Sequence, residues 1–230
     1  MDDNTRAAAP VEAETRTVQH PSVVERYFTP RYKPDVKKVP GEDQCVLVHS
    51  NRICVVTVAR CHPILSQHKT VCTVNFQVDK KTNRMDNKVT GKGKKGGQWL
   101  TELSALCHVT CSDQSTYTLY SCIRGHLVEI NENLVRTPGL LTQKPDTDGY
   151  IAIVLPRLHE FQDQVGRLLT LEQYQHVLKQ RQSQQQRLDT QGTNKQQQSQ
   201  TVVQKSSAAA MRPADSGSSK CATAESQQVG

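Results

Sequence analysis

The chain has 230 residues, of which 35% are hydrophobic and 4% aromatic, so its apolar content suits one modest domain. No apolar run approaches the roughly eighteen residues of a membrane span, and residues 1–16 carry acids where a secretory signal has bases. The net charge of +7 is compatible with either nucleic acid or an acidic protein as partner. We therefore expect a cytosolic or nuclear protein whose eight cysteines are thiols, most of them small buried side chains.

The first predicted structural feature is an aromatic and basic arm. It follows a leader, residues 1–21, that has no periodicity and is expected to be disordered. Within residues 22–35, Ser22 and Glu25 have the spacing of a capping box, which predicts a short helical turn before Pro30. The aromatic side chains of the arm either pack onto the core or form a partner surface with its basic residues. Those basic residues are Arg26, Arg31 and Lys33.

Two stretches that follow the arm predict β-strands. Residues 45–58 contain two apolar runs around a polar tetrad at 49–52, which is the pattern of a hairpin. Residues 70–78 alternate between two sets of side chains, as in a strand with one inward face.

The most basic segment is residues 79–97, with seven Lys or Arg, two Asp and four Gly. Its glycines exclude a stable helix, so we predict an exposed, flexible loop able to adapt to an anionic surface. Residues 91–96 lack the Lys-Ser/Thr ending of a phosphate-binding loop. The segment is therefore either a solvated connection or a binding loop. Its basic residues are Lys80, Lys81, Arg84, Lys88, Lys92, Lys94 and Lys95.

Two further strand pairs are predicted before residue 156. The first surrounds a polar cluster at 110–116 and predicts a hairpin centred near Asp113 and Gln114. The second consists of residues 125–131 and 150–155, joined by a connection in which prolines at 138 and 145 exclude a long helix. Strands joined in this way favour a small barrel or sandwich.

The end of the chain is predicted to be helical and then disordered. Thr170 and Gln173 have capping-box spacing, and apolar residues at helical intervals predict a helix from about 171 to 185. We accordingly divide the chain into four segments, namely a leader (1–21), a domain (22–156), a helical segment (157–186) and a disordered Gln/Ser-rich tail (187–230).

No pattern typical of a catalytic centre is present in the sequence, so we expect no enzyme activity. Cys107, His108 and Cys111 have some metal-ligand character, but zinc would require a second segment, such as Cys54 with Cys61-His62. Neighbouring residues on a strand point to opposite faces, which separates Cys107 from His108 and disfavours zinc. His49, His126 and His159 are predicted to be surface or core residues rather than general bases.

Residues 125–150 resemble the lipoyl-bearing half of the glycine-cleavage H protein. The matching positions are Gly125, Glu129, Asn131, Leu134, Pro138, Pro145 and Gly149-Tyr150, with Tyr150 where that family usually has Trp. The resemblance implies a mainly β barrel-sandwich hybrid, which we expect to carry a C-terminal helix and disordered termini. It places the lipoyl-lysine position at Gln114, which has no amine to acylate, so no cofactor is expected.

Over residues 22–175 the chain resembles a closer family, the Abitram or Simiate proteins, known as actin-binding transcription modulators. The similarity lies in residues 22–35, 49–57, 87–103, 135–156 and 168–174. It implies binding to monomeric and filamentous actin, with effects on actin polymerisation, filopodia and dendrite morphology. It also implies a nuclear pool at speckles and a cytoplasmic pool in lamellipodia, growth cones and dendrites.

Three functional hypotheses follow. The first is a non-enzymatic actin-binding regulator that uses the basic residues of the loop and of the arm, with transcription or RNA-processing assemblies as nuclear partners and no membrane partner. The second is a lipoyl-type carrier or complex subunit that keeps only the fold. The third is direct nucleic-acid binding through the same lysines, which predicts an affinity that falls steeply with salt.

Overall fold

The computed structural model describes residues 21–91 and 94–187, and within them the protein is mainly β. Six strands form an antiparallel sheet in the order β1-β2-β3-β9-β8-β5, and three form a second sheet in the order β4-β6-β7. The strands are β1 (Phe28–Lys33), β2 (Gln44–His49), β3 (Cys54–Val58), β4 (Val71–Asn75), β5 (Trp99–Leu100), β6 (Ala105–Cys111), β7 (Thr116–Tyr120), β8 (Gly125–Ile130) and β9 (Ala152–Leu155). This is the predicted barrel-sandwich hybrid.

The helices are short except for the last one. They are α1 (Val23–Tyr27), α2 (Pro63–Ser66), α3 (Asn133–Arg136), α4 (Leu140–Gln143), α5 (Phe161–Gly166) and α6 (residues 171–187). Contacts divide the chain after His176, so that one unit holds both sheets, and the described part of the second unit, 177–187, is helical. None of the helices in the described ranges is long and apolar enough to cross a bilayer. The predicted leader up to residue 20 and the tail from 188 lie outside the described residues.

Several local predictions are confirmed. The hairpins β2-β3 and β6-β7 form around the predicted turns. Ser22 and Glu25 make the reciprocal bonds of a capping box at α1. Thr170 and Gln173 do the same before α6, because the Thr170 N–H donates to the Gln173 side chain and the Gln173 N–H donates to the Thr170 hydroxyl. The local sequence alone therefore determines where these two helices begin.

The proline-containing connection between β8 and β9 is held by buried polar side chains. The amide of Asn131 donates to the carbonyls of Asp148 and Tyr150 at 2.7 and 2.9 Å. The Thr57 hydroxyl donates to the Pro145 carbonyl at 2.6 Å. As predicted, no long helix forms here, and α3 and α4 are single turns of four residues.

A buried glutamine joins the two sheets. The side-chain amide of Gln44 on β2 donates to the carbonyl of Tyr120 on β7, and its oxygen accepts from the N–H of the same residue, at 2.9 and 2.8 Å. Gln44 thus replaces a backbone partner at the edge of β7 and leaves none of these buried groups without a hydrogen bond. Both sheets contribute to a single apolar core, in which Phe76 is the largest fully buried side chain.

The start of α6 docks on this core through Tyr174. Its ring stacks on Tyr32 with centroids 4.3 Å apart, and its hydroxyl donates to the buried carboxylate of Asp43 at 2.7 Å. Burial and this hydrogen bond raise the pKa of Tyr174 well above its usual range.

Candidate functional site

The basic loop, residues 79–97, is built on a network of polar side chains. The Arg84 guanidinium donates to the Ala105 carbonyl and to the Gln98 side chain at 2.9 and 2.7 Å. Gln98 in turn donates to the Asn83 carbonyl, and its N–H donates to Asn87. The Asn87 amide donates to the carbonyl of Leu127 on β8. The loop predicted to be flexible therefore has a hydrogen-bonded framework.

Two turns on this framework carry the lysines. In the first, the Asp79 carboxylate accepts from the N–H groups of Lys81 and Thr82, which lowers the pKa of Asp79. In the second, Thr90 and Lys95 exchange two backbone hydrogen bonds across Gly91, whose φ of +66° suits glycine. Lys80, Lys81, Lys88 and Lys95 are exposed, and Lys94 is half-buried. The structure therefore presents ammonium groups at both turns.

Arg84 and Lys92 were also predicted as binding residues but are not among the lysines that the structure displays at the two turns. Arg84 is only 8% exposed, and its guanidinium is bonded inside the protein, so it supports the loop and does not display charge. Lys92 lies outside the described residues.

The second basic patch lies on the arm, which forms the opposite edge of the six-stranded sheet from the strand that follows the loop. Arg26 is exposed beside the ring of Tyr27, while Arg31 is half-buried. Lys33 pairs with Glu102 at 3.8 Å. The arm packs onto the core through Tyr32, as the first alternative predicted. Tyr27 is 57% exposed, and a partner surface on the arm stays a prediction.

The tip of the β6-β7 hairpin carries Gln114, exposed and with a φ of +62°. The neighbouring Lys69 is held by contacts with the hairpin. Its ammonium donates to Asp113 at 2.6 Å and to the Ser115 hydroxyl at 3.1 Å, and its side chain is 13% exposed. The hydrogen bond to Asp113 raises the pKa of Lys69 above its usual range. Lys69 therefore makes structural contacts at the turn of the hairpin.

Cys107 and His108 point to opposite faces of β6, as predicted. Cys107 is buried in the core, where burial raises the pKa of its thiol well above the usual range. The His108 ring lies on the other face, within hydrogen-bond distance of the Thr118 hydroxyl and the Val78 carbonyl. Among the described residues, no three His, Cys, Asp or Glu side chains are grouped as metal ligands. His62 is fully buried as the cap of α2.

The prediction that most cysteines are buried thiols is confirmed for the described part of the chain. Cys45, Cys54, Cys107, Cys111 and Cys122 are buried, Cys61 is half-buried and Cys72 is exposed. Burial raises the pKa of the Cys54 thiol to about 12, so it remains protonated at neutral pH.

A cluster around Trp99 was missed by the sequence interpretation. The guanidinium carbons of Arg157 and Arg124 lie 4.4 and 5.7 Å from the centre of the Trp99 ring, and His126 packs edge-on against it at 4.8 Å. We call these four residues the Trp99 cluster. Its one sequence signal was the single tryptophan two residues after the basic loop. The arginines come from distant positions, so spacing did not reveal them.

Comparison with known proteins found a matching family model, similar proteins and a solved structure. The family model of the glycine cleavage H-protein matches residues 68–181. Protein Abitram of Homo sapiens is 51% identical over 158 residues, 69% of this chain and 87% of that protein. Protein Abitram of Xenopus tropicalis is 48% identical over 163 residues, 71% of this chain and 89% of that protein. A crystal structure of a glycine cleavage system H protein from Mycobacterium marinum overlaps with a TM-score of 0.40 and 16% identity, covering 59% of this chain and 94% of that one.

Proposed function

The chain belongs to the Abitram family, and from this membership we propose that it is a non-enzymatic actin-binding protein that regulates actin polymerisation. It binds monomeric and filamentous actin and thereby affects filopodia and dendrite morphology. Its cytoplasmic pool lies in lamellipodia, growth cones and dendrites. A second pool in nuclear speckles modulates transcription together with transcription or RNA-processing assemblies.

The observation that carries this proposal is the pair of lysine-bearing turns on the basic loop. Lys80 and Lys81 project from one turn, and Lys94 and Lys95 lie in the other. Actin is an acidic protein, and opposite charges across an interface raise the rate of encounter and the specificity of binding. The polar network beneath the turns holds part of the loop backbone in place before binding, which reduces the backbone entropy lost on association.

Charge reversal of the loop lysines tests the actin site. We expect Lys→Glu changes at 80, 81, 88, 94 and 95 to weaken cosedimentation with filamentous actin about tenfold or more, because attraction becomes repulsion. Variants restricted to 80 and 81, or to 94 and 95, are expected to lose affinity by smaller amounts. Pelleting across a salt series gives the affinities and shows whether the electrostatic contribution has been removed.

A matched control separates a local effect from net charge. Lys144→Glu combined with Lys179→Glu changes exposed lysines on other elements, and it reverses the same number of charges as either two-lysine variant. This control is expected to pellet with actin like the parent protein. Unchanged pelleting of the five-lysine variant would remove the loop from the proposed site, and circular dichroism establishes that each variant is folded.

The match to the glycine cleavage H-protein family supports a carrier function as the second candidate. Such a carrier requires an acylated lysine, but the hairpin tip has Gln114, and the ammonium of Lys69 is held by Asp113. We therefore expect the intact mass of the native protein, purified from its own cells, to show no lipoyl adduct. A lipoyl mass on any lysine-containing peptide after proteolysis would replace the actin proposal with the carrier function.

A further inference from the structure

The Trp99 cluster displays an arginine whose planar group is already oriented. Arg157 lies over the Trp99 ring at 4.4 Å, a distance typical of a cation–π contact. One face of the guanidinium is directed at the indole, yet the Arg157 side chain remains 52% exposed. About half of the Arg157 side chain is therefore accessible to a partner, and the Trp99 contact reduces the rotamer freedom that binding would remove.

The N–H groups of the two guanidinium groups in this cluster are available for hydrogen bonds to a partner. Arg157 and Arg124 share Glu160, with N–O distances of 3.7 and 3.9 Å, too long for hydrogen bonds. In the described part of the chain neither guanidinium donates a hydrogen bond. Arg167 differs, since it donates to Asp163 at 2.8 Å and to Glu102 at 3.4 Å. Arg124 and Arg157 thus retain the planar donor fork that binds anions such as phosphate through two parallel hydrogen bonds.

The basic loop lies directly beside the Trp99 cluster. The imidazole of His126 is within 3.3 Å of the carbonyl of Gly97, the last residue of the loop. The loop backbone is fixed along β8, since Leu127 donates its N–H to the Gln98 carbonyl at 2.8 Å. The end of the loop, two residues after Lys95, therefore lies beside His126 of the Trp99 cluster. We consider Lys94, Lys95 and the two arginines together as one candidate surface, in which Glu160 is the acidic neighbour of the arginines.

We propose that this surface binds single-stranded nucleic acid. A base stacks on the free face of the Arg157 guanidinium, and phosphates contact Arg124 and the lysines at 94 and 95. Single strands fit because their bases are accessible for stacking on aromatic or guanidinium planes, whereas bases in a duplex are stacked on each other. An acidic protein segment would pair with the charges but would not stack a flat base on the guanidinium face. Arg157 and Trp99 lie outside the proposed actin site, whereas Lys94 and Lys95 belong to both sites. Variants at Arg157 therefore test nucleic-acid binding separately from actin binding.

The single tryptophan makes this binding directly measurable. Trp99 is the one Trp in the chain, so its fluorescence reports on this surface alone. We expect a 12-nucleotide oligouridylate at low salt to change Trp99 fluorescence in a saturable way. Fluorescence anisotropy of the same labelled oligonucleotide should give a matching dissociation constant, with an affinity that falls steeply as salt rises.

Three arginine variants separate stacking from charge. Arg157→Ala is expected to weaken oligouridylate binding about tenfold, the range of one base stack. Arg157→Lys keeps the charge but not the plane, and we expect nearly the same loss. Arg167→Ala is the matched control, because Arg167 is similarly exposed, at 57%, but its guanidinium is already bonded. It is expected to bind like the parent protein.

Other outcomes overturn the proposal. If Arg157→Lys binds like the parent protein, or a heparin fragment of equal charge binds as tightly as oligouridylate, the surface is a general polyanion or acidic-protein site. Equal binding by all three arginine variants also rejects it, as does a preference for a duplex. Arg157→Ala is expected to pellet with actin normally, so this result and that of the loop-lysine variants can fail separately.

Discussion

Replacing Gly149 with alanine is expected to lower the free energy of unfolding by about 3 kcal/mol or more, among the largest effects of a single methyl group in this fold. A Cβ at this position would lie 2.0 Å from the carbonyl oxygen of Leu140 and 2.8 Å from that of Lys144. Both contacts are with backbone, so no side-chain rotation relieves them. The turn of α4 would have to move, and with it the buried side chain of Leu141.

The matched control is Gly166→Ala at the end of α5. A Cβ there meets no atom within 4 Å, and alanine favours helix over glycine, so we expect a change within about 1 kcal/mol, on the stabilising side. Urea unfolding followed by circular dichroism measures both variants. Equal stabilities for the two alanine variants would show that α4 adapts without cost. If Gly149→Ala does not accumulate under conditions in which Gly166→Ala does, expression at lower temperature followed by the same urea unfolding tests the clash.

The period-two patterns predicted most strands but not which residues face the core. In β8, Leu127 and Ile130 are both buried although they differ in parity, because the register shifts between Leu127 and Glu129. In β6, the neighbours Leu106 and Cys107 are both fully buried at a similar shift. A bulge adds one residue to one strand of a pair, and this depends on the partner strand, so a pattern read along a single strand does not predict it.

The role of Gly149 was predicted only in part. The sequence indicated that Gly149 precedes a strand, and β9 begins three residues later. The reason for a glycine is the close approach of the α4 backbone, which is a tertiary contact and leaves no local pattern. Gly125 is similar, because a Cβ there would lie 2.7 Å from the backbone of Leu155. The residues that match the H-protein pattern therefore include positions where backbones touch.

The candidate sites were also predicted only in part. The charge of the basic loop was evident from composition, whereas its hydrogen-bonded framework depends on Gln98 and Asn87, whose partners are fixed only by folding. The Trp99 cluster brings together residues 25 and 58 positions apart, through the pairing of β5, β8 and β9. Arg84 was predicted to bind a partner because of its charge. It is buried and bonded to the Ala105 carbonyl, so it supports the loop.

Acidification from pH 7 to pH 4 is expected to remove about 3 kcal/mol of stability through His62 alone. The imidazole is fully buried, its Nδ1 accepts from the Ile64 N–H at 3.2 Å, and its ring packs edge-on against Tyr117. With Nδ1 as acceptor, the proton of the neutral ring resides on Nε2. Burial lowers the pKa of His62 to about 4, against the opposing charge of Asp43.

The direction of this pH effect follows from the protons bound by the folded and by the unfolded chain. Below the ordinary histidine pKa of about 6.5, the unfolded chain binds a proton that the native His62 does not bind. The free energy of unfolding therefore decreases as the pH is lowered. This loss proceeds until the native ring protonates near pH 4 and then stops growing. Urea midpoints measured between pH 7 and pH 4 give the slope. Carboxylates titrate in the same range, so the contribution of His62 must be isolated by substitution.

His62→Asn is the substitution that isolates it, because asparagine retains an acceptor for the cap of α2 and does not titrate. The variant is expected to be less stable at pH 7, owing to lost volume, and to approach the parent protein as pH falls to 4. His159→Asn, at a side chain 74% exposed, is expected to parallel the parent protein. Parallel curves for His62→Asn as well would show that the buried ring carries no proton linkage. If the asparagine variant is too unstable, His62→Gln fills more of the site and supports the same comparison.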